Sequence, residues 1–324
     1  IDKDHIKPHN LVRHRAYAYQ VGHPKVEALK ALHNAVTRGA VPISSIHADA
    51  ALLEPLVLRA IEDAELVVDA SAGLDFPRAA SLRDRIGRHV SVFITPDGNG
   101  GVLLAEDASR QVRLLALEGQ YYREIINTDW GRNHLTGNLG SYWSGASCRD
   151  ISFSLPYSRV LVHAACLAEQ IQQRWLQPEA CMKVWQRDPP TGNVVLHEVP
   201  AVPARQMRYG DMTVLIDEGL ERKLFAMRAQ QVPNETGGIL LGFYDLTEKV
   251  LVIVDACPAP ADSVSTPASF QRGTEGVAEW VIEVSRLTAD IVGYVGEWHS
   301  HPPGYPASPS GDDLLQLAQL ALGM

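Results

Sequence analysis

Short apolar, β-branched runs alternating with stretches of helical spacing predict an α/β protein. Three observations carry that expectation. Glu65-Leu66-Val67-Val68-Asp69-Ala70 and Val250-Leu251-Val252-Ile253-Val254 are compact apolar segments of the kind buried inside a sheet. Pro24, followed by Val26, Leu29, Leu32 and Val36 at helical spacing, marks the first turn of an amphipathic helix. Finally, Pro178, Pro189, Pro190, Pro200 and Pro203 crowd one stretch, and proline at that density breaks regular elements by removing backbone donors. The expected organisation is therefore a first domain over 1–177, a connection over 178–208 with one hairpin around Thr191-Gly192-Asn193, and a second domain over 209–324.

Composition narrows the function classes. A chain of 324 residues that is 46% hydrophobic and 21% charged can bury the cores of two ordinary domains. Its net charge of -9 offers no basic excess to neutralise phosphates, which argues against nucleic acid as the main partner. No apolar run approaches the roughly 20 residues that cross a bilayer, so no membrane partner is expected. The four cysteines, Cys148, Cys166, Cys181 and Cys257, are scattered without a Cys-x-x-Cys pair, a pattern that fits a reducing cytoplasm. The chain begins at Ile1 without methionine and stops inside a helical pattern at Leu322-Gly323-Met324, as expected of a piece of a longer polypeptide.

In chain order, the run ending at Asp69 reads as a strand of a parallel sheet whose carboxyl end faces a ligand crevice. Val90 to Thr95 is a strand closed by the turn-rich Pro96-Asp97-Gly98-Asn99-Gly100-Gly101. Leu114 to Glu118 and Tyr121 to Ile126 are further elements, and a helix runs from Ser158 to about Leu176. Cys148, beside Arg149 in a glycine- and serine-bearing loop, has the setting of a reactive thiol, since a neighbouring cation lowers a thiol pKa. Cys166 falls in an Ala/Leu helix stripe and reads as core. In the second half, Met212 to Ile216 is a strand and Glu218 to Ala229 a helix with Leu220, Leu224, Phe225 and Met227 as its core stripe. Gly237-Gly238 permits close backbone approach before the strand Ile239 to Tyr244, with Glu235 at its entrance. A helix over Glu275 to Leu287 and a strand over Ile291 to Val295 follow.

Chemistry concentrates directly after that last strand, in Glu297-Trp298-His299-Ser300-His301 and Ser310-Gly311-Asp312-Asp313. Residues i and i+2 of an extended chain point to one side, so His299 and His301 can converge on one ion. Two imidazoles and one carboxylate, with the fourth position open, form the donor set of a catalytic zinc. Trp298 beside the ligands reads as packing, and Glu297 as either supporting the ligands or solvated.

Two family resemblances sharpen this reading. Asp2-x-Asp4, Asn10-Leu11-x-Arg13 and Val21-Gly22-x-Pro24-Lys25-Val26-Glu27-Ala28 resemble the adenylating domain of ubiquitin-activating (E1-like) and ThiF/MoeB-type enzymes over about the first ninety residues. The resemblance implies a partial Rossmann-like fold, ATP and Mg2+, with Asp2 at the ribose and Asn10, Arg13 and Lys25 at the phosphates. It also implies a homodimer through this domain, an E2-like partner and a downstream thioester cysteine, for which Cys148 is the candidate. Two departures stand out: the family's glycine-rich loop has no counterpart here, and Ala72 occupies the place of a magnesium-associated acid. The second resemblance is to the JAB/MPN+ (JAMM) zinc isopeptidases, carried by Glu235, Gly238, His299-x-His301 and Ser310-x-x-Asp313 from about Met212 onward. It implies a mixed sheet flanked by helices, with Zn2+ on His299, His301 and Asp313. It further implies Glu235 as general base, Ser310 as oxyanion donor, and the C-terminal tail of a ubiquitin-like or sulfur-carrier protein as substrate. A shorter register would put Pro309 and Asp312 in those places; Pro309 cannot donate, which favours Ser310 with Asp313 and keeps Asp312 as the alternative. The fusion then reads as a peptidase joined to an activating domain for the same tail in a bacterial conjugation pathway. Sulfur-carrier processing for cofactor synthesis and a non-catalytic tail-binding scaffold are the other readings.

Overall fold

The computed structural model describes residues 1–12, 14–71, 73–136, 141–143, 151–153, 155–306, 308–311, 314–315 and 318. The first half runs α1 (Lys25–Thr37), α2 (Pro55–Glu62), β1 (Leu66–Asp69), α3 (Asp75–Ser81), β2 (Arg88–Ile94), β3 (Gly100–Ala105), α4 (Leu114–Asn127), β4 (Ser141–Trp143), β5 (Ile151–Phe153), α5 (Tyr157–Leu176), β6 (Cys181–Arg187) and β7 (Val194–Val199). The second runs β8 (Ala204–Tyr209), β9 (Met212–Asp217), α6 (Glu218–Gln231), β10 (Thr236–Asp245), β11 (Val250–Ala256), β12 (Val264–Thr266), β13 (Ser269–Gln271), α7 (Val277–Leu287) and β14 (Gly293–Ser300). Among the described residues no helix is long and apolar enough to cross a membrane.

Two mixed five-stranded sheets result, in the orders β1-β2-β3-β6-β7 and β14-β10-β11-β9-β8. In the first, β1 and β2 are parallel across the α3 crossover, whereas β2–β3, β3–β6 and β6–β7 are antiparallel. A wholly parallel Rossmann sheet is therefore not what this half forms; the parallel pair that ends at Asp69 is the part that matches. The stretch expected as a connection over 178–208 is also largely strand. Pro189 and Pro190 sit in the β6–β7 turn, around the anticipated hairpin, and Pro200 and Pro203 lie between β7 and β8. The prolines thus punctuate strands rather than replace them, because a proline between strands costs no ladder hydrogen bond.

Leu114–Asn127, expected as two elements, is one helix whose residues are buried on almost every side. It lies between the sheets: Leu117, Tyr121 and Ile125 join Val102, Leu104 and Val184 of the first sheet to Leu215, Leu241 and Val252 of the second in one apolar core. Gly119 makes the approach possible, since a Cβ there would stand 2.8 Å from Val252 Cγ1. Polar contacts tie the same surfaces. Arg78 of α3 is bidentate to Glu118 of α4, lies 3.5 Å from Asp245 at the end of β10, and covers the Phe243 ring at 4.4 Å. Arg123 of α4 donates to both oxygens of Asp217 at 2.6 and 2.7 Å.

Three histidines among the described residues are sealed inside the first half, His89, His134 and His163. His89 on β2 is 0% exposed, sits edge-on to Phe76, and neither ring nitrogen has a partner among the described residues. Burial, reinforced by the Arg110 charge, pushes its pKa down to about 3. His134 is hydrogen-bonded to the Tyr121 hydroxyl at 2.9 Å, and burial lowers its pKa to about 4.

On α6, Asp217 caps the helix by accepting from the amides of Gly219 and Leu220 at 2.8 and 3.1 Å. Leu220 is buried with Leu224 half-buried on the same face, but Phe225, expected in the core stripe, is 65% exposed. One residue advances a helix by about 100°, which carries Phe225 off the face that Leu220 and Leu224 share. Strand β14 starts at Gly293 and continues to Ser300, beyond the apolar run that suggested it, because β10 supplies ladder partners for its polar end.

Candidate metal centre

The pairing of β10 with β14 builds the site. Their antiparallel register sets Thr236 opposite Ser300, Gly237 opposite His299 and Gly238 opposite Trp298. Glu235, one residue before Thr236, consequently meets the segment entering at His301. The two glycines are steric requirements: a Cβ on Gly237 would lie 2.4 Å from the Trp298 carbonyl oxygen, and one on Gly238 would lie 2.1 Å from that of Cys257.

The small hairpin β12–β13 closes over this junction. The Glu235 amide donates to the Thr266 carbonyl at 2.8 Å, and the Ser265 hydroxyl donates to the Glu235 carbonyl. Phe270, at the middle of β13, sets its ring against His299 with centroids 5.6 Å apart and planes at 75°. Glu235 is left 6% exposed, so its carboxylate is shielded from bulk water and keeps its polar contact with His299.

Glu235, His299 and His301 each contribute a ligand atom to a cluster in which all such atoms lie within 4.8 Å of one another. His299 Nε2 and Glu235 Oε2 are 3.1 Å apart, and the two imidazoles stand nearly perpendicular at 5.0 Å. A tetrahedral zinc with bonds near 2.1 Å spaces neighbouring ligand atoms by about 3.4 Å, and two imidazoles beside a carboxylate are donors of the kind such an ion takes. His301 Nδ1 donates to the Pro306 carbonyl at 2.6 Å, which fixes the orientation of its ring.

The other anticipated residues fall as follows. The Ser310 side is exposed, and its carbonyl accepts from the Leu314 amide at 3.1 Å, the first bond of a helical turn. Asp313 and Asp312 lie outside the described residues, as do Arg13, Ala72 and Cys148. Trp298 packs away from the cluster and donates its indole N–H to the Cys257 carbonyl at 2.8 Å. Glu297, expected either to support the ligands or to be solvated, is held by Arg272 at 2.8 Å. In the first half, Asp2 accepts from the Asp4 amide at 2.8 Å, and Lys25 at the start of α1 pairs with Asp4 at 2.6 Å. Asn10 is buried and accepts from the Lys7 amide. Burial lowers the His14 pKa, with Lys25 lowering and Asp2 raising it, so both charges act on that one ring.

Residues that the sequence did not single out complete the centre: Phe270, Pro306 and Arg228, whose Nε donates to the His301 carbonyl at 2.8 Å. Their contacts arise from packing between distant elements, and no local spacing announces them.

Residues 217–324, which carry the donor cluster, match the Prok-JAB family model, described as prokaryotic homologs of the JAB domain. Over 109 residues the chain is 37% identical to the "CD-NTase/cGAS isopeptidase" of Enterobacter hormaechei subsp. hoffmannii (strain UCI 50), which covers 34% of this chain and 58% of the relative. It is 28% identical over 79 residues to the "Probable metalloprotease y4qB" of Sinorhizobium fredii (strain NBRC 101917 / NGR234), covering 24% of this chain and 48% of that protein. The chain thus spans about half the length of the curated relatives it matches.

Proposed function

We propose that this protein is a zinc-dependent isopeptidase that detaches or matures a ubiquitin-like protein at its C-terminal tail. The observation that carries the reading is the convergence of Glu235, His299 and His301 at one end of the second sheet. In this reading His299 and His301 hold Zn2+ together with Asp313, with Asp312 as the alternative ligand, and Glu235 serves as a base beside them. An ion bound there supplies Lewis acidity and lowers the pKa of water toward neutrality. Glu235 takes a proton from the attacking water and hands it to the amine nitrogen as the amide C–N bond breaks. Ser310 donates its hydroxyl hydrogen to the developing oxyanion, an interaction worth about 3 kcal/mol in enzymes where one such donor has been removed.

The relative whose name includes CD-NTase/cGAS isopeptidase supports an isopeptide-linked protein conjugate as the substrate class. The first half, by its likeness to E1-like domains at Asp2, Asn10, Arg13 and Lys25, would receive the same tail and activate it with ATP and Mg2+. ATP–pyrophosphate exchange by the full-length chain tests that extension, and no exchange would retire it without touching the peptidase reading.

The peptidase reading is tested with the purified protein, its zinc content, and a ubiquitin-like protein fused or isopeptide-linked at its C-terminal glycine. Cleavage is expected to stop on chelation and return with zinc, and Glu235→Gln is expected to bind zinc while losing about 100-fold or more in rate. Wild-type protein that bound no zinc, or a Glu235→Gln variant as fast as wild type, would refute it.

A further inference from the structure

The two histidines of the centre are held in different ways. His299 lies inside β14, where the ladder to Gly237 fixes its backbone. His301 lies one residue past Ser300, the last paired position, in a segment containing Pro302, Pro303, Gly304 and Pro306. Ser300 is the last rung of the β10–β14 ladder, and a carbonyl beyond it near a half-buried site takes its hydrogen bond from a donor elsewhere. The Arg228 guanidinium fills that role, with Nε 2.8 Å from the His301 carbonyl oxygen. The imidazole is then oriented separately by the Pro306 carbonyl at 2.6 Å.

Arg228 can act as a fixed donor because α6 is itself fixed. Its first turn is capped by Asp217, whose two carboxylate oxygens receive Arg123 from α4. Lys223 in the middle of the helix is paired with buried Asp255 at 2.6 Å, and Leu220 is fully buried. A rod anchored in this way presents Arg228, half-buried near its end, at a constant distance from β14.

We propose that Arg228 is a positioning residue for the metal centre: by holding the His301 backbone where the sheet ladder ends, it sets the affinity for the ion. The inference rests on the zinc reading above and goes beyond it, since Arg228 touches neither ion nor substrate. A merely structural role would lower the melting temperature and leave the zinc affinity of the folded protein unchanged.

The experiment measures zinc affinity by competition with a chromophoric chelator, and the visible absorption of the Co2+ form, in wild type and in Arg228→Gln and Arg228→Lys. Removing a contact that orients a metal ligand commonly costs 10–100-fold in affinity, so Arg228→Gln is expected to bind zinc about tenfold or more weakly with an altered Co2+ spectrum. Arg228→Lys, which retains a cationic donor, is expected to recover part of that loss. Arg228→Met, which keeps the aliphatic stem, replaces the glutamine variant if that one does not fold. Zinc affinity and Co2+ spectrum equal to wild type in the donor-less variant would overturn the proposal while leaving the peptidase reading in place. Wild-type protein that binds no zinc would instead overturn the peptidase reading on which it rests.

Discussion

Acidification should destabilise this protein through its buried histidines; burial lowers the pKa of His163 in the same direction as the others, and the size of the effect can be worked out for His89 and His134. Both rings are buried and neutral in the folded chain, with pKa values near 3 and 4 against 6.5 when exposed. Below pH 6.5 the unfolded chain binds protons that the folded one refuses, so stability is complete above that pH and falls as pH drops toward about 4. Between about pH 7 and about pH 5 each histidine removes about 2 kcal/mol, or about 4 kcal/mol together. That is a large share of the 5–15 kcal/mol typical of a folded domain. The assay is urea unfolding at both pH values for wild type and His89→Leu. Leucine at 89 removes two buried nitrogens that lack partners among the described residues, so it should cost little at neutral pH and reduce the acid-induced loss by about 2 kcal/mol. An equally steep loss in His89→Leu and wild type would show that the buried ring is not what acid titrates.

Two further outcomes test the architecture. Arg78→Met leaves Glu118 and Asp245 buried without their cation, and breaking a buried pair of this kind should cost about 3–5 kcal/mol in urea unfolding; a change below about 1 kcal/mol would mean the pair is solvated in solution. Gly238→Ala puts a methyl 2.1 Å from the Cys257 carbonyl oxygen, which forces the backbones apart beside Glu235, so a drop of about 2 kcal/mol or more is expected; a melting temperature equal to wild type would deny the close approach.

The histidine pair and Glu235 were legible because each sits at the edge of an apolar strand, where periodicity breaks into polar residues of known chemistry. The register that joins them was not: Gly237 opposite His299 is a fact about two strands more than fifty residues apart, and neither carries it alone. The same limit explains Arg228 and Phe270. Helix α4 was read as two pieces because a helix buried all round shows no polar face, and β3 was hidden by Gly100 and Gly101, which look like turn residues. A Cβ on Gly101 would stand 2.7 Å from His163 Nδ1, so that glycine serves the packing of α5 on the sheet instead. Proline density over 178–208 marked breaks correctly, but the β-branched Val194 and Val195 between them outweighed the breaks and made strand.

Helix α4 has a consequence for how such a chain can vary. The packing floor beneath Leu215, Leu241 and Val252 of the second half is encoded upstream, in Leu114–Asn127. A substitution at Gly119 is felt at Val252, and one at Arg123 is felt at the cap of α6. A change in either half is therefore met by the packing of the other.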